Sequence, residues 1–152
     1  MILTSAAEIS PFVSAALGRP ADSGQFIAYH TASGISAAAW FETLFGETAV
    51  AHLVAARSFL PREFLWYIFH YPFRELCATR ILAPVSRENF PAQRIVTHLG
   101  FVLEATLSPQ ESPVLYYTMT EAQCRWLSLK EPQNGQCCKR RHRSDLRDAK
   151  SP

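Results

Sequence analysis

The sequence predicts one α/β domain, a sandwich in which helices flank a mixed sheet, and three observations lead there. Strand-like and helix-like apolar patterns alternate in the order strand, helix, strand, helix, strand, strand, which gives a layered α/β arrangement. A chain of 152 residues with 48% apolar and 18% charged residues holds material for one ordinary core. No internal repeat divides it. The domain is expected over residues 1–129, where a turn-forming stretch without apolar residues, "EPQNGQ", begins a tail over 130–152.

Each element has its own signal. Residues 5–17 favour helix, with Pro11 expected at a break or in the first turn of a second piece. "GQFIAYHTASG" (24–34) reads as a strand leaving through a Ser-Gly turn, "ISAAAWFETLFG" (35–46) as its hairpin partner, and "ETAVAHLVAA" (47–56) as a third strand. In "RSFLPREFLWYIFHYPF" (57–73) the pairs Phe64 and Ile68, Leu65 and Phe69, and Phe69 and Phe73 stand four residues apart, which sets one apolar helical stripe. Pro61 suits the first helical turn, where a missing N–H costs nothing, and Pro72 is expected to kink or end the helix. "CATRILAPVS" (77–86) reads as a buried strand, "RENFPAQRIVTHLG" (87–100) as a helix stopped by Gly100, "FVLEATL" and "PVLYYTMT" as a final hairpin, and "EAQCRWLSL" as a short closing helix.

Charge and cysteines bound the function classes. From Lys139 onward the chain nets +4, with six basic against two acidic residues, so the preceding 138 residues net −2. A short basic end without aromatic residues reads as a solvated tail rather than a nucleic-acid surface. Cys77, Cys124, Cys137 and Cys138 contain no C-x-x-C pair, and with His142 they fit no common zinc-finger spacing, so free thiols and no metal are expected. His52, Arg57, Arg62 and His70 interrupt the apolar runs before about 18 residues, which is too short to span a bilayer. The start "MILTSAAEIS" has no basic, then apolar, signal pattern, and a cytoplasmic protein is the expectation.

One constellation carries a resemblance. Asn89-x-x-Ala92-x-x-Ile95, followed by Gly100-Phe101-x-x-Glu104-Ala105, resembles the Asn-x-x-Ala/Ser…Gly-Phe-x-x-Glu-Gly segment of the GNAT acyltransferase superfamily. "REFLWYIFHYPF", "ATRILAPVSREN" and "EAQCRWL" are similar to a GNAT subgroup common in bacteriophage genomes, so the likeness spans residues 48–127. It implies a mostly antiparallel central sheet splayed at its fourth and fifth strands. It also implies acetyl-CoA as acyl donor, a protein or small-molecule primary amine as acceptor, and a phage-encoded enzyme in the bacterial cytoplasm. Many relatives dimerise through late strands, which puts a homodimer among the expectations; a phage particle or host protein is a further expected partner.

The resemblance places the donor's pyrophosphate on the helix after the fourth strand, where unpartnered N–H groups and about half a positive charge suit an anion. The superfamily approaches it with a Gln/Arg-x-x-Gly-x-Gly/Ala loop, and residues 57–62 have no glycine. Arg57 and Arg62 compensate by pairing with phosphate oxygens from the side, with Ser58 and Glu63 beside them; otherwise the two arginines are solvated at a helix start. Asn89 matches a position that contacts the pantetheine arm or orders the turn, and also reads as an ordinary helix cap. The tyrosine many relatives use as an acid falls on Val96. His52 is the preferred base, mid-strand before the donor helix, against the ordinary reading of a hydrogen-bonded structural histidine. Glu104 is the second candidate, and of Tyr116 and Tyr117 only one faces the wedge, Tyr117 being preferred. The vacant positions motivate a second reading, a non-catalytic GNAT fold that binds a partner or sits in the virion.

Overall fold

The computed structural model describes residues 1–56, 59–108 and 112–132, with the side chains of residues 43–45 excepted. Arg57, Ser58, the middle of the 108–113 loop, and the tail from residue 133 with Cys137, Cys138 and His142 lie outside the described residues. The order is β1 (Ile2–Leu3), α1 (Ala6–Leu17), β2 (Gln25–Thr31), β3 (Gly34–Phe45), β4 (Thr48–Ala55), α2 (Arg62–His70), β5 (Arg80–Ser86), α3 (Phe90–Leu99), β6 (Val102–Leu107) and β7 (Val114–Thr120). Two short 3-10 turns, Glu121–Gln123 and Arg125–Ser128, stand where one closing helix was expected.

The strands form one seven-stranded sheet in the order β1-β2-β3-β4-β5-β7-β6, antiparallel except between β4 and β5. The period-2 alternation in β2, β3 and β4 sends alternate side chains to opposite faces. Phe26, Ala28, Ala38 and Trp40 face α1, which docks with Ile9 and Val13. Ile27, Ala39 and Phe41 join the larger core under α2 and α3, with Phe64, Ile68, Phe69, Val96 and Leu99. Full burial of a side chain such as Phe64 contributes roughly 1.5–3 kcal/mol.

Three expectations change in detail. No break occurs at Pro11, which lies inside a continuous α1. Pro11 and Ala7, whose carbonyl has lost its donor, are both exposed, so water replaces the bond while buried Ile9 and Val13 hold the helix down. At Pro72 the α-helix does end, by widening into a π turn over Tyr71–Glu75 in which the Leu76 N–H reaches the Tyr71 carbonyl at 3.1 Å. The fifth strand begins at Arg80 and alternates rather than being buried throughout: Ile81, Ala83 and Val85 are buried, whereas Leu82 and Pro84 on the other face are half-buried.

The last residues lock α3 in place. Gly100 stops that helix at φ 104°, a conformation glycine adopts without Cβ strain. The Trp126 indole donates to the Leu99 carbonyl at 2.7 Å and stacks on Phe69, and Arg125 donates to the His98 carbonyl at 2.7 Å. The "CRWL" segment thus satisfies the open carbonyl end of α3.

Candidate functional site

The parallel ladder between β4 and β5 contains three pairs, Thr48 with Arg80, Ala49 with Ile81, and Val50 with Leu82. Beyond them β4 runs on to Ala55 and β5 to Ser86 without pairing to each other. Two features keep the gap open. Ala51 and Ala83, the first positions past the ladder, are too small to fill it, and Pro84 removes a backbone donor from β5. The result is a cavity of about 460 Å³. Leu53 and Val85 line it across the gap, Ile68 and Phe69 from α2, Ala92, Ile95 and Val96 from α3, Ser86 and Asn89 where β5 meets α3, and Leu17, Arg19 and His52 on the α1 side.

Local structure fixes the polar residues of this cavity. Asn89 caps α3, its side-chain oxygen accepting from the Ala92 N–H at 3.1 Å. α2 starts after Pro61, which supplies no side-chain cap, so its first amides receive no acceptor from the capping residue. Arg62 is exposed on that turn and Glu63 is half-buried beside it. Arg19 follows the α1 stop at Gly18, φ 66°. The loop after it is held because the Ser10 hydroxyl donates to the Ala21 carbonyl and the Ala21 N–H donates to the Ser14 hydroxyl at 2.9 Å. At Gly24 a Cβ would fall 2.2 Å from the Phe41 carbonyl oxygen, so only glycine lets this loop lie against β3.

That loop brings three charged or titratable groups together. Arg19 pairs both nitrogens with Glu42, Nη1 to Oε1 at 3.0 Å and Nη2 to Oε2 at 2.9 Å, and its guanidinium lies 4.7 Å above the Trp40 ring. His52, opposite Trp40 in the β3–β4 register, has its Nε2 2.7 Å from Glu42 Oε2 and its ring 5.0 Å from that of Trp40. A separation of 2.7 Å between two lone pairs is repulsive, so the proton belongs on Nε2, which donates to the carboxylate. The 3.2 Å approach of Arg19 to the same nitrogen is then not a hydrogen bond. Nδ1 is left as the basic nitrogen.

The electrostatics agree with this assignment. Hydrogen bonding from the Arg19 guanidinium, helped by His52, holds the Glu42 carboxyl at about 2, well below its ordinary range. Burial pushes the His52 ring below its ordinary value, although the Glu42 carboxylate opposes that shift. The imidazole is therefore neutral at pH 7 and able to take a proton.

Of the residues expected from sequence, His52 and Asn89 line the cavity, and Arg62 and Glu63 occupy the first turn of α2. Glu104 stands elsewhere, pairing with Arg80 at 3.2 Å and accepting from Thr118 Oγ1. Tyr117 is buried and lines a separate groove with Phe90, Gln93, Arg94, Thr97 and His98. Arg19, Glu42 and Trp40 were not singled out from sequence; the alternation of β3 and β4, counted through a bulge between Phe41 and Thr43, brings Trp40 and Glu42 to the His52 face, and Arg19 reaches them from the loop after α1.

A scan against protein-family models found no match, and a search of curated proteins found none either. Solved structures do match. A chimera of the spermidine N-acetyltransferase SpeG from Vibrio cholerae and hSSAT aligns at TM-score 0.63 and 14% identity, over 80% of this chain and 96% of that one. A GNAT-family acetyltransferase from Bacillus anthracis aligns at TM-score 0.54 and 19% identity, over 74% and 72% of the two chains. A ribosomal-protein-S5-alanine acetyltransferase from Vibrio fischeri aligns at 0.53 and 13%, over 67% and 63%. With its mixed sheet, its single parallel pair at β4 and β5, and its flanking helices, the chain has the fold of the GNAT acetyltransferases.

Proposed function

We propose that this protein is an acetyl-CoA-dependent N-acetyltransferase that acetylates a primary amine on a protein or small molecule. The observation that carries the reading is the abrupt end of the β4–β5 ladder after Val50 and Leu82, which leaves two strand edges facing a cavity with a neutral histidine in its wall. Acetyl-CoA supplies an activated acetyl thioester. The residues fit such a donor: strand edges offer hydrogen bonds to amides of an extended arm, and uncapped amides of α2 with Arg62 suit phosphate. Arg57 and Ser58 belong to the same binding reading.

In this reading His52 Nδ1 takes the proton that the amine must lose, and Nε2–H···Glu42 stabilises the imidazolium that forms. The departing thiolate takes its proton from water, since Val96 occupies the position that would carry an acidic hydroxyl. The similarity of residues 62–73 and 121–127 to phage GNAT sequences supports a phage-encoded enzyme acting in the host cytoplasm. Val102, Leu103 and Leu107, 48–55% exposed on the edge strand β6, support a homodimer.

Acetyl-CoA titration tests the reading. Saturable binding is expected, with about 2.7 kcal/mol of added stability at 100 times the dissociation constant, and weaker binding in Arg62→Ala. No binding at millimolar acetyl-CoA overturns it. The glycine-free junction at 57–62 and Val96 favour a second reading, a non-catalytic binding or virion-associated protein. Donor binding without turnover across an amine panel, together with copurification with phage particles, decides for that one.

A further inference from the structure

We infer that Arg19 makes this site select acceptors with one amine and an apolar body, and reject polyamines; the inference rests on the N-acetyltransferase reading above. The cavity wall carries the argument. Among the described residues that line it, none has a carboxylate, and the ionisable side chains are Arg19 and His52. Ser86 and Asn89 add neutral polarity, and the remaining lining is apolar.

The carboxylate that could receive a second ammonium is Glu42, directly behind Arg19 and His52, and it is already engaged. Both of its oxygens accept from Arg19, and Oε2 also accepts from His52. Arg19, although its side chain is 44% exposed, is held in this position. Trp40 lies beneath its guanidinium at 4.7 Å, Trp40 is itself tied by its indole N–H to the Ser23 carbonyl at 2.6 Å, and the loop is clasped to α1 at Ala21.

An acceptor presents one neutral amine to the thioester. Any further aliphatic amine, with a pKa near 10, stays an ammonium at pH 7. In this cavity that ammonium would meet apolar walls and an Arg19–Glu42 pair whose charges already offset each other, so it would lose hydration without gaining a free counter-ion. An alkyl chain meets no such penalty. The inference separates this chain from the spermidine N-acetyltransferases whose fold it shares.

The test compares two probes of one length. Hexylamine and 1,6-diaminohexane are titrated calorimetrically into the full chain saturated with CoA, where no transfer takes place. Hexylamine is expected to bind at least tenfold more tightly, equivalent to about 1.4 kcal/mol. Arg19→Gln removes the cation and releases the Glu42 carboxylate, so the preference should shrink or reverse in a variant whose circular dichroism matches the parent's. Diamine binding as tight as monoamine binding in the parent, binding of neither amine, or an unchanged preference in a folded Arg19→Gln overturns the inference. Acetyl-CoA titration of the same samples keeps the two readings apart: donor binding with a diamine preference sinks only the selectivity, and absent donor binding sinks the transferase reading.

Discussion

Glu42 and Glu104 are built alike and differ in what they serve. Each carboxylate pairs an arginine from another part of the chain and accepts from a third group, Glu42 from Arg19 and His52, Glu104 from Arg80 and Thr118. The Glu104 cluster crosses β5, β7 and β6 beside Arg80, whose pairing with Thr48 belongs to the intact ladder. The Glu42 cluster lies on the α1 side of the part that has come apart. The third partner separates them: a hydroxyl closes a hydrogen bond and nothing more, whereas an imidazole couples the carboxylate to a group that changes charge near neutral pH. Ion pairs of similar composition thus divide into one that staples strands and one that, in the proposed mechanism, prepares a base.

The largest effect that tests this difference belongs to His52. His52→Ala is expected to lower kcat/KM for acetyl transfer by about 10²–10⁴-fold, the usual contribution of a positioned acid or base, with a much smaller loss of acetyl-CoA affinity. A loss below threefold in steady-state assays would remove His52 from the chemistry.

Glu42→Gln comes next. The carboxylate raises the affinity of His52 for a proton, so its removal lets burial act unopposed and the pKa of the ring falls further. The base works in its neutral form, and the acid limb of the kcat/KM profile should therefore move to lower pH. Maximal activity should drop by about tenfold as the imidazolium loses its stabilising partner. An unmoved acid limb would reduce Glu42 to a structural residue.

Most of the fold was legible in the sequence and half of the site was not, for a physical reason. Period-2 alternation in residues 25–31 and 48–55, the four-residue spacing of Phe64, Ile68, Leu65 and Phe69, and the Asn89 and Gly100 helix signals act over short ranges, and each element formed as they dictate. Arg19, Glu42 and His52 lie 23 and 10 residues apart; the Glu42–His52 contact crosses a hairpin whose count is shifted by the bulge between Phe41 and Thr43, and the Arg19–Glu42 contact joins the loop after α1 to β3. A contact of that kind depends on register, which composition does not carry. Glu104 was conspicuous because it follows the Gly100-Phe101 turn, yet its side chain settles on Arg80, outside the cavity. Tyr117 has the right parity, since it lies opposite the cavity-lining Ala83, but it stands one strand farther from the gap and faces a separate groove along α3 instead.

A smaller effect appears in stability against pH. The folded-state pKa of Glu42, about 2 against an ordinary 4.5, means that its pairing stabilises the native state above the ordinary value and is lost as pH falls through the window from 4.5 to 2. His52, also depressed, acts in the same direction below its ordinary 6.5, because the unfolded chain binds that proton more readily. Glu42→Gln should flatten the fall of Tm between pH 4.5 and 2 relative to the parent, measured by calorimetry. A parallel fall in both proteins would contradict the depressed carboxyl.

Glu104→Gln should give the smallest change, and its smallness is the sharpest form of the comparison. With Arg80 45% and Glu104 48% exposed, solvent screens the pair, and exposed pairs contribute about 0–1 kcal/mol. The amide oxygen still accepts from Thr118, so that hydroxyl keeps a partner. Turnover should stay within twofold of the parent and the acid limb of the rate profile should not move, since neither Glu104 nor Arg80 lines the cavity. A shift of that limb in Glu104→Gln equal to the one in Glu42→Gln would mean that charge reaches the base across the closed end of the sheet, and that the β4–β5 gap does not insulate one cluster from the other.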